Sequence, residues 1–335
     1  MKLKSLLMGS AAALITTTVA HAADAVTPEP EPTESVKVCD MYGTGFYYIP
    51  GTETCLGISG EVRVQYEATS NDDTDTSSGD AYWHARVNVD VREETDLGML
   101  RAYIRLEGDG DNDNRAENFG PLDTYIEIGG LSMGYRTSRV ELTGLPGVMY
   151  DGSYFGGGRT WYVDYTFSAG ELTLLGGASV ENADMDGGDA DDESIDFYVR
   201  ADYSMDMFAF GASYGHDSSA EEGALGAYIT ATPMDGLTIQ GYYNMQDDST
   251  QFGGATGETQ KYGVGASFKV ADSILIGAGF YQVDTENDAT DLDGYSFGMD
   301  WNASSNLVVR LGVNVEDSDG TGEVTDYRVR VQRNF

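Results

Sequence analysis

Eight arginines carry the most informative spacing in the chain: Arg63, Arg86, Arg92, Arg101, Arg105, Arg310, Arg328 and Arg330. Each stands in a run where every second residue is apolar or small. Around Arg86, the odd positions Trp83, Ala85, Val87, Val89 and Val91 alternate with His84, Arg86, Asn88, Asp90 and Arg92. After a polar turn the phase flips, and Leu100, Ala102, Ile104 and Leu106 alternate with Arg101, Tyr103, Arg105 and Glu107. Alternation with period two marks a strand that is apolar on one face and wet on the other. The chemistry open to such a wet face is ionic. Guanidinium and carboxylate groups at strand spacing order water, pair with ions and impose a field, and they make or break no bonds.

The elements that must position these groups repeat along the chain. Alternating segments fall at 56–67, two within 82–107, then 123–128, 131–136, 159–167, 171–180, 194–203, 207–214, 224–232, 237–245, 261–269, 274–283, 294–301, 307–315 and 324–335. They number 16, an even count that suits an antiparallel ring with both termini on one side. Short turns alternate with long acidic connections, at 70–80, 108–121, 181–193, 215–222, 246–258, 284–293 and 316–323. On the apolar face, Tyr66, Trp83, Trp161, Tyr214, Tyr243, Tyr262, Tyr295 and Tyr327 gather at one end of the strands. Phe167, Tyr203, Phe208, Phe268, Trp301 and Phe335 gather at the other. Two aromatic girdles around an aliphatic band describe a surface facing lipid, so the wet face lies inside. The fold class is therefore all-β, a 16-stranded antiparallel transmembrane β-barrel with short periplasmic turns and long external loops. Arg333 is the poor fit on the lipid face and is expected to snorkel to the interface.

Composition fits an exported envelope protein. The 335 residues include 43 Gly and 22 Tyr and carry a net charge of -37, and mean hydropathy is only -0.33. A barrel shows lipid at every second residue, so its average hydropathy looks soluble. Residues 1–22 read as a signal peptide: Lys2 and Lys4, an apolar middle, then Ala20-His21-Ala22. Residues 23–55 form a Pro/Glu spacer followed by a collar holding the two cysteines, Cys39 and Cys55. In an oxidising compartment that pair is expected to form one structural disulfide below the barrel, which occupies 56–335.

Several stretches carry a resemblance. VCDMYGTGFYYIPGTETCLGISGEVR, REETDLGMLRAYIRLEG, YIEIGGLSMGY and the ending RVQRNF resemble the alphaproteobacterial general porins, the porin-2 family. The resemblance covers most of the mature chain and implies an outer-membrane homotrimer of 16-stranded barrels. It implies passive passage of ions and small hydrophilic solutes.

One connection breaks the rhythm. Residues 137–158 mix Leu142, Leu145, Val148, Met149, Tyr150, Tyr154 and Phe155 with Glu141, Asp151 and a single arginine, Arg139. So much apolar surface needs something to pack on. The resemblance implies that this third external loop folds into the barrel; a subunit contact is the other reading. The arginines lie on segments that become contiguous once the ring closes. The expected constriction therefore sets a basic wall of Arg63, Arg86, Arg101, Arg105, Arg328 and Arg330 against Glu141 and Asp151. Alternatively, the arginines merely pair with Glu61, Asp90, Glu107 and Glu316. The acidic loops suit loosely held divalent cations bridging to lipid phosphates, including lipopolysaccharide. The stretch 109–120 departs from a calcium loop, with Asn114 and Gly120 at the positions that need Gly and Glu.

No cofactor or metal site is expected, nor any nucleic-acid partner. Catalysis lacks its parts: a barrel phospholipase needs Ser two residues beyond its strand His, and Arg86 holds that place. A substrate-selective channel, or a structural or adhesive barrel with a blocked lumen, are the competing functions.

Overall fold

The computed structural model describes residues 37–71, 74–111, 119–140, 142, 158–180, 194–247, 257–286, 291–318, 320 and 322–335. The signal peptide and spacer, as well as Glu141 and Asp151, lie outside the described residues. So do 112–118, 181–193 and most of 246–258 among the acidic connections.

A short 3₁₀ turn, Asp40–Tyr42, precedes β1 (Phe46–Tyr48). The barrel strands follow: β2 (Cys55–Asn71), β3 (Thr76–Thr95), β4 (Gly98–Gly110), β5 (Gly120–Ile128), β6 (Leu131–Thr137), β7 (Arg159–Ala169), β8 (Leu172–Val180) and β9 (Ile195–Met205). Next come β10 (Phe208–Asp217), β11 (Glu222–Met234), β12 (Leu237–Gln246), β13 (Thr259–Ala271), β14 (Ile274–Thr285), β15 (Leu292–Ser304), β16 (Leu307–Ser318) and β17 (Gly322–Asn334). Each pairs antiparallel with its neighbour in sequence, and β17 returns to β2, with Val324 opposite Asn71 and Asn334 opposite Glu61. That pairing closes a ring of 16 strands, β2 to β17, and no sheet edge is left facing lipid.

The alternation read from the sequence is the alternation of the wall. Ile58, Val62, Val64 and Tyr66 are exposed on the outside of β2, while Glu61 is buried on the inside. Trp83, Trp161, Tyr214, Tyr295 and Tyr327 are exposed at one rim, and Phe167, Phe208, Trp301 and Phe335 at the other. Arg333 donates to the Asn306 carbonyl at 3.2 Å, which holds its charge at the rim turn.

One expectation needs correction. The connections at 70–80 and 316–323 are mostly strand where described, and that at 215–222 is half strand. β2 runs to Asn71 before β3 starts at Thr76, β10 runs to Asp217 before β11 starts at Glu222, and β16 ends at Ser318 before Gly322. Past the membrane neither face of a strand needs apolar side chains, so the period-two signal vanishes while the hydrogen-bond ladder continues.

The collar lies at the barrel end where the chain terminates, and there it continues the wall. β17 ends where Phe335 and Gly60 exchange backbone hydrogen bonds of 2.9 and 3.0 Å. Beyond that point β1 takes the edge of β2, with Phe46 opposite Gly57 and Tyr48 opposite Cys55. Cys39 and Cys55 are joined, and both are fully buried.

Close approach to glycine shapes the luminal side. At Gly134, φ is +151° and an added Cβ would stand 2.2 Å from the Thr124 carbonyl and 2.7 Å from the Tyr125 Cβ. Only glycine lets Tyr125 lie flat there and stack on Tyr103, with ring centroids 5.0 Å apart.

Candidate channel constriction

The six wall arginines come together on β2, β3, β4 and β17, all on the luminal face. Register places Arg63 opposite His84 and Glu61 opposite Arg86, so their heads share one depth. None stands alone. Arg63 donates to Glu61 at 2.8 Å, Arg86 to Glu107 at 2.6 Å, and Arg328 to Glu67 at 2.5 Å. Arg101 bridges Asp90 at 2.9 Å and Glu127 at 3.0 Å. Arg105 bridges Glu107 at 3.1 Å and Asp123 at 2.9 Å. Arg330, 4% exposed, donates to Gln65 at 2.6 Å. The wall is thus a ladder of alternating charge, close to the pairing reading of these residues. Of the four acids named for it, Glu61, Asp90 and Glu107 pair with arginines. Glu316 instead accepts from Tyr281 and Asn314, while Arg310 pairs with Asp300 at 2.6 Å.

Guanidinium groups also stack on the luminal aromatics. Arg101 lies 5.0 Å over Tyr103, and Arg136 4.4 Å over Tyr125. Tyr125 is 5% exposed, so this cluster is packing within the wall.

The described start of the third external connection, residues 137–140 and 142, enters the lumen. Val140 and Leu142 are buried against Leu175, Tyr198, Ala224 and Tyr228, the luminal side chains of β8, β9 and β11. Backbone contacts fix the segment: Ser213 donates to the Val140 carbonyl at 3.1 Å, and Arg200 to the Arg139 carbonyl at 3.3 Å. Arg139 reaches past it to Asp164 at 2.7 Å and Thr166 at 3.1 Å. Strands β8 to β11 lie half-way round the ring from β17, β2 and β3. The entering segment therefore lines the wall across from Arg63, Arg86, Arg328 and Arg330.

Sequence reasoning missed the far wall. Arg136, Arg139, Arg159 and Arg200 are half-buried there, paired with Glu127, Asp164, Asp123 and Asp202. Asp123, Tyr125 and Glu127 on alternate positions were the available signal. His84, placed by sequence on the wet face but not in the basic wall, sits between Arg63 and Arg86. At the collar end, Phe46 covers Gly57, and Arg92 lies 4.9 Å over the Phe46 ring and 5.6 Å over Tyr42. These residues line the luminal side of the barrel's periplasmic mouth.

A closed 16-stranded wall with a lipid face and a charged lumen is the architecture of an outer-membrane β-barrel. The chain matches the model of a family described as Porin subfamily over residues 24–334. It belongs to that family of porins. It is 34% identical over 299 residues to porin Omp2b of Brucella neotomae, covering 80% of this chain and 81% of that one. It is 39% identical over 210 residues to porin Omp2b of Brucella canis. That alignment covers 56% of each chain, so it spans little more than half the relative's length. Two solved structures share the fold. The outer membrane channel DcaP of Acinetobacter baumannii has a TM-score of 0.69 at 11% identity, covering 86% of this chain and 99% of that one. An anion-selective porin from Comamonas acidovorans has a TM-score of 0.69 at 12% identity, covering 84% and 100%.

Proposed function

We propose that the chain is a general diffusion porin of the outer membrane, a channel rather than an enzyme. It passes ions and small hydrophilic solutes passively through its lumen and works as a homotrimer delivered by a cleaved leader, residues 1–22. The observation that supports this most is the entry of Arg139, Val140 and Leu142 into the lumen, opposite the arginine ladder. Charges across a narrow aqueous gap with low-dielectric walls act on solutes more strongly than on an open surface. Small dipolar solutes orient and pass, whereas apolar ones must displace ordered water. In this reading Glu141 and Asp151 are the loop acids at the constriction, facing Arg63 and Arg86. The acidic external connections concentrate cations and hold divalent ions against lipid phosphates.

A substrate-selective channel would show a ladder of aromatics or of same-sign charges along the lumen. Here the arginines alternate with carboxylates, and Tyr125, Tyr162 and Tyr198 are buried while Tyr82 stands apart. Single-channel recording in a planar bilayer tests the proposal. We expect large, ohmic, weakly ion-selective conductance that closes in three equal steps at high voltage. A silent protein sinks the channel; single-step closure together with a monomer mass in mild detergent sinks the trimer.

A further inference from the structure

His84 stands in the middle of the arginine ladder without a settled partner. The chain has three histidines, and the other two, His21 and His216, lie in the leader and at the external end of β10. On β3, His84 is opposite Arg63 of β2 and Asp109 of β4. Its side chain is 12% exposed, and its Nε2 lies 3.4 Å from Glu61 and 3.7 Å from Glu107, both beyond ordinary hydrogen-bond distance for that pair of atoms. That nitrogen is buried and makes no hydrogen bond. Both neighbouring carboxylates are already taken by guanidinium groups, Glu61 by Arg63 and Glu107 by Arg86 and Arg105. The ionisable groups facing the imidazole are therefore Glu61 and Arg63 from β2, Arg86 from β3, and Glu107 and Asp109 from β4.

We propose that His84 is a selectivity-determining residue of the channel, whose protonation shifts the pore toward anions as the medium turns from neutral to mildly acid. The inference rests on the porin reading. A neutral imidazole leaves the ladder as it is. Once protonated, Nε2 becomes a charged donor a few tenths of an ångström from bonding Glu61 or Glu107. The added charge has a second effect of the same sign: it draws a carboxylate from Arg63 or Arg86 and turns that guanidinium toward the water. Histidine is the side chain whose ordinary titration falls between pH 5 and 8. With His216 on the outward face at the external rim, His84 is the histidine placed to act on the pore. A unit charge about 10 Å from a passing ion, at an effective dielectric between those of protein and water, changes relative permeability roughly two- to fivefold.

The test is the reversal potential of the full chain in a planar bilayer under a potassium chloride gradient, taken from about pH 7.5 to about pH 5.5. We expect the cation-to-anion permeability ratio of the parent to fall about two- to fivefold at 0.1 M salt, and the change to shrink at 1 M as screening shortens to about 3 Å. His216→Asn should behave as the parent, while His84→Asn and His84→Gln should hold one ratio across the range. The parent titration needs no variant, so a misfolded His84 variant does not remove the test. A parent whose ratio is flat with pH overturns the proposal, as does a His84 variant that keeps the shift. Failure to conduct at all is a separate outcome, and it overturns the porin reading beneath it.

Discussion

In the proposed constriction, Arg63 and Arg86 are the pair of side chains that sets both the width and the sign of the gap. Each is about a fifth exposed and each holds a carboxylate, Glu61 or Glu107. In a half-wet lumen such pairs contribute little to stability, roughly 0–1 kcal/mol apiece. Their effect on an ion is larger, because removing one guanidinium also uncovers its carboxylate. Replacing both with glutamine should raise conductance and move the reversal potential toward cation selectivity. Neutralising Glu141 and Asp151 should move it the other way, and salt should weaken both shifts, since the screening length falls from about 10 Å at 0.1 M to about 3 Å at 1 M. An arginine variant that conducts and selects like its parent at low salt would leave the wall as lumen padding. The inward aim of these arginines was legible from period-two spacing alone. Three of the four expected partners, Glu61, Asp90 and Glu107, were legible as well. Which arginine takes which acid, and that Arg101 spans both Asp90 and Glu127, was not, because that depends on the register of three strands and alternation carries no register.

At the scale of the element, the described start of the third connection behaves as a strap tied by an ion pair, by hydrogen bonds to its backbone and by two apolar side chains. Asp164, 2% exposed, accepts from Arg139 and from Tyr198 at 2.9 Å. Val140 and Leu142 fill the space above Leu175 and Ala224. The apolar content of residues 137–158 made packing predictable. The surface they pack on was not, since the small and aromatic residues of β8, β9 and β11 look like any other luminal positions in sequence. Truncating a buried leucine costs about 2–5 kcal/mol, a loss expected to loosen the described start of the strap. The double variant Arg139→Ala, Leu142→Ala should therefore conduct more, with noisier open-channel current, and its loop should be cut faster by protease added to the external side. Barrel assembly, read by heat-modifiable gel mobility, should be unaffected, because the ring is closed by pairing elsewhere. Parent-like current and cleavage would mean the strap is held by residues beyond Leu142.

For the whole molecule, closure and conduction separate. β17 meets β2 from Val324 to Phe335, and the collar takes up the same strand only after Gly60. The ring is thus complete without residues 37–54. The disulfide closes a loop across a sequence separation of 16, and in the loop-closure model a bridge of that size contributes about 3 kcal/mol to its own segment. Thr54 on Glu93 at 2.8 Å and Tyr42 on Glu94 at 3.2 Å tie the collar to the end of β3. Resistances along a pore add in series, so the narrowest stretch dominates the total. If that stretch lies between the third connection and Arg63, loosening the collar at the periplasmic mouth should barely change the current. Replacing Cys39 and Cys55 with serine should give a barrel that assembles and conducts as the parent does. Its residues 37–55 alone should become sensitive to protease from the periplasmic side. A clear rise in unit conductance in the serine protein would place Phe46, Tyr42 and Arg92 at the narrowest point and move the constriction from the middle of the barrel to its mouth. Loss of current in a barrel that still assembles would make the collar an obligatory part of the conduit.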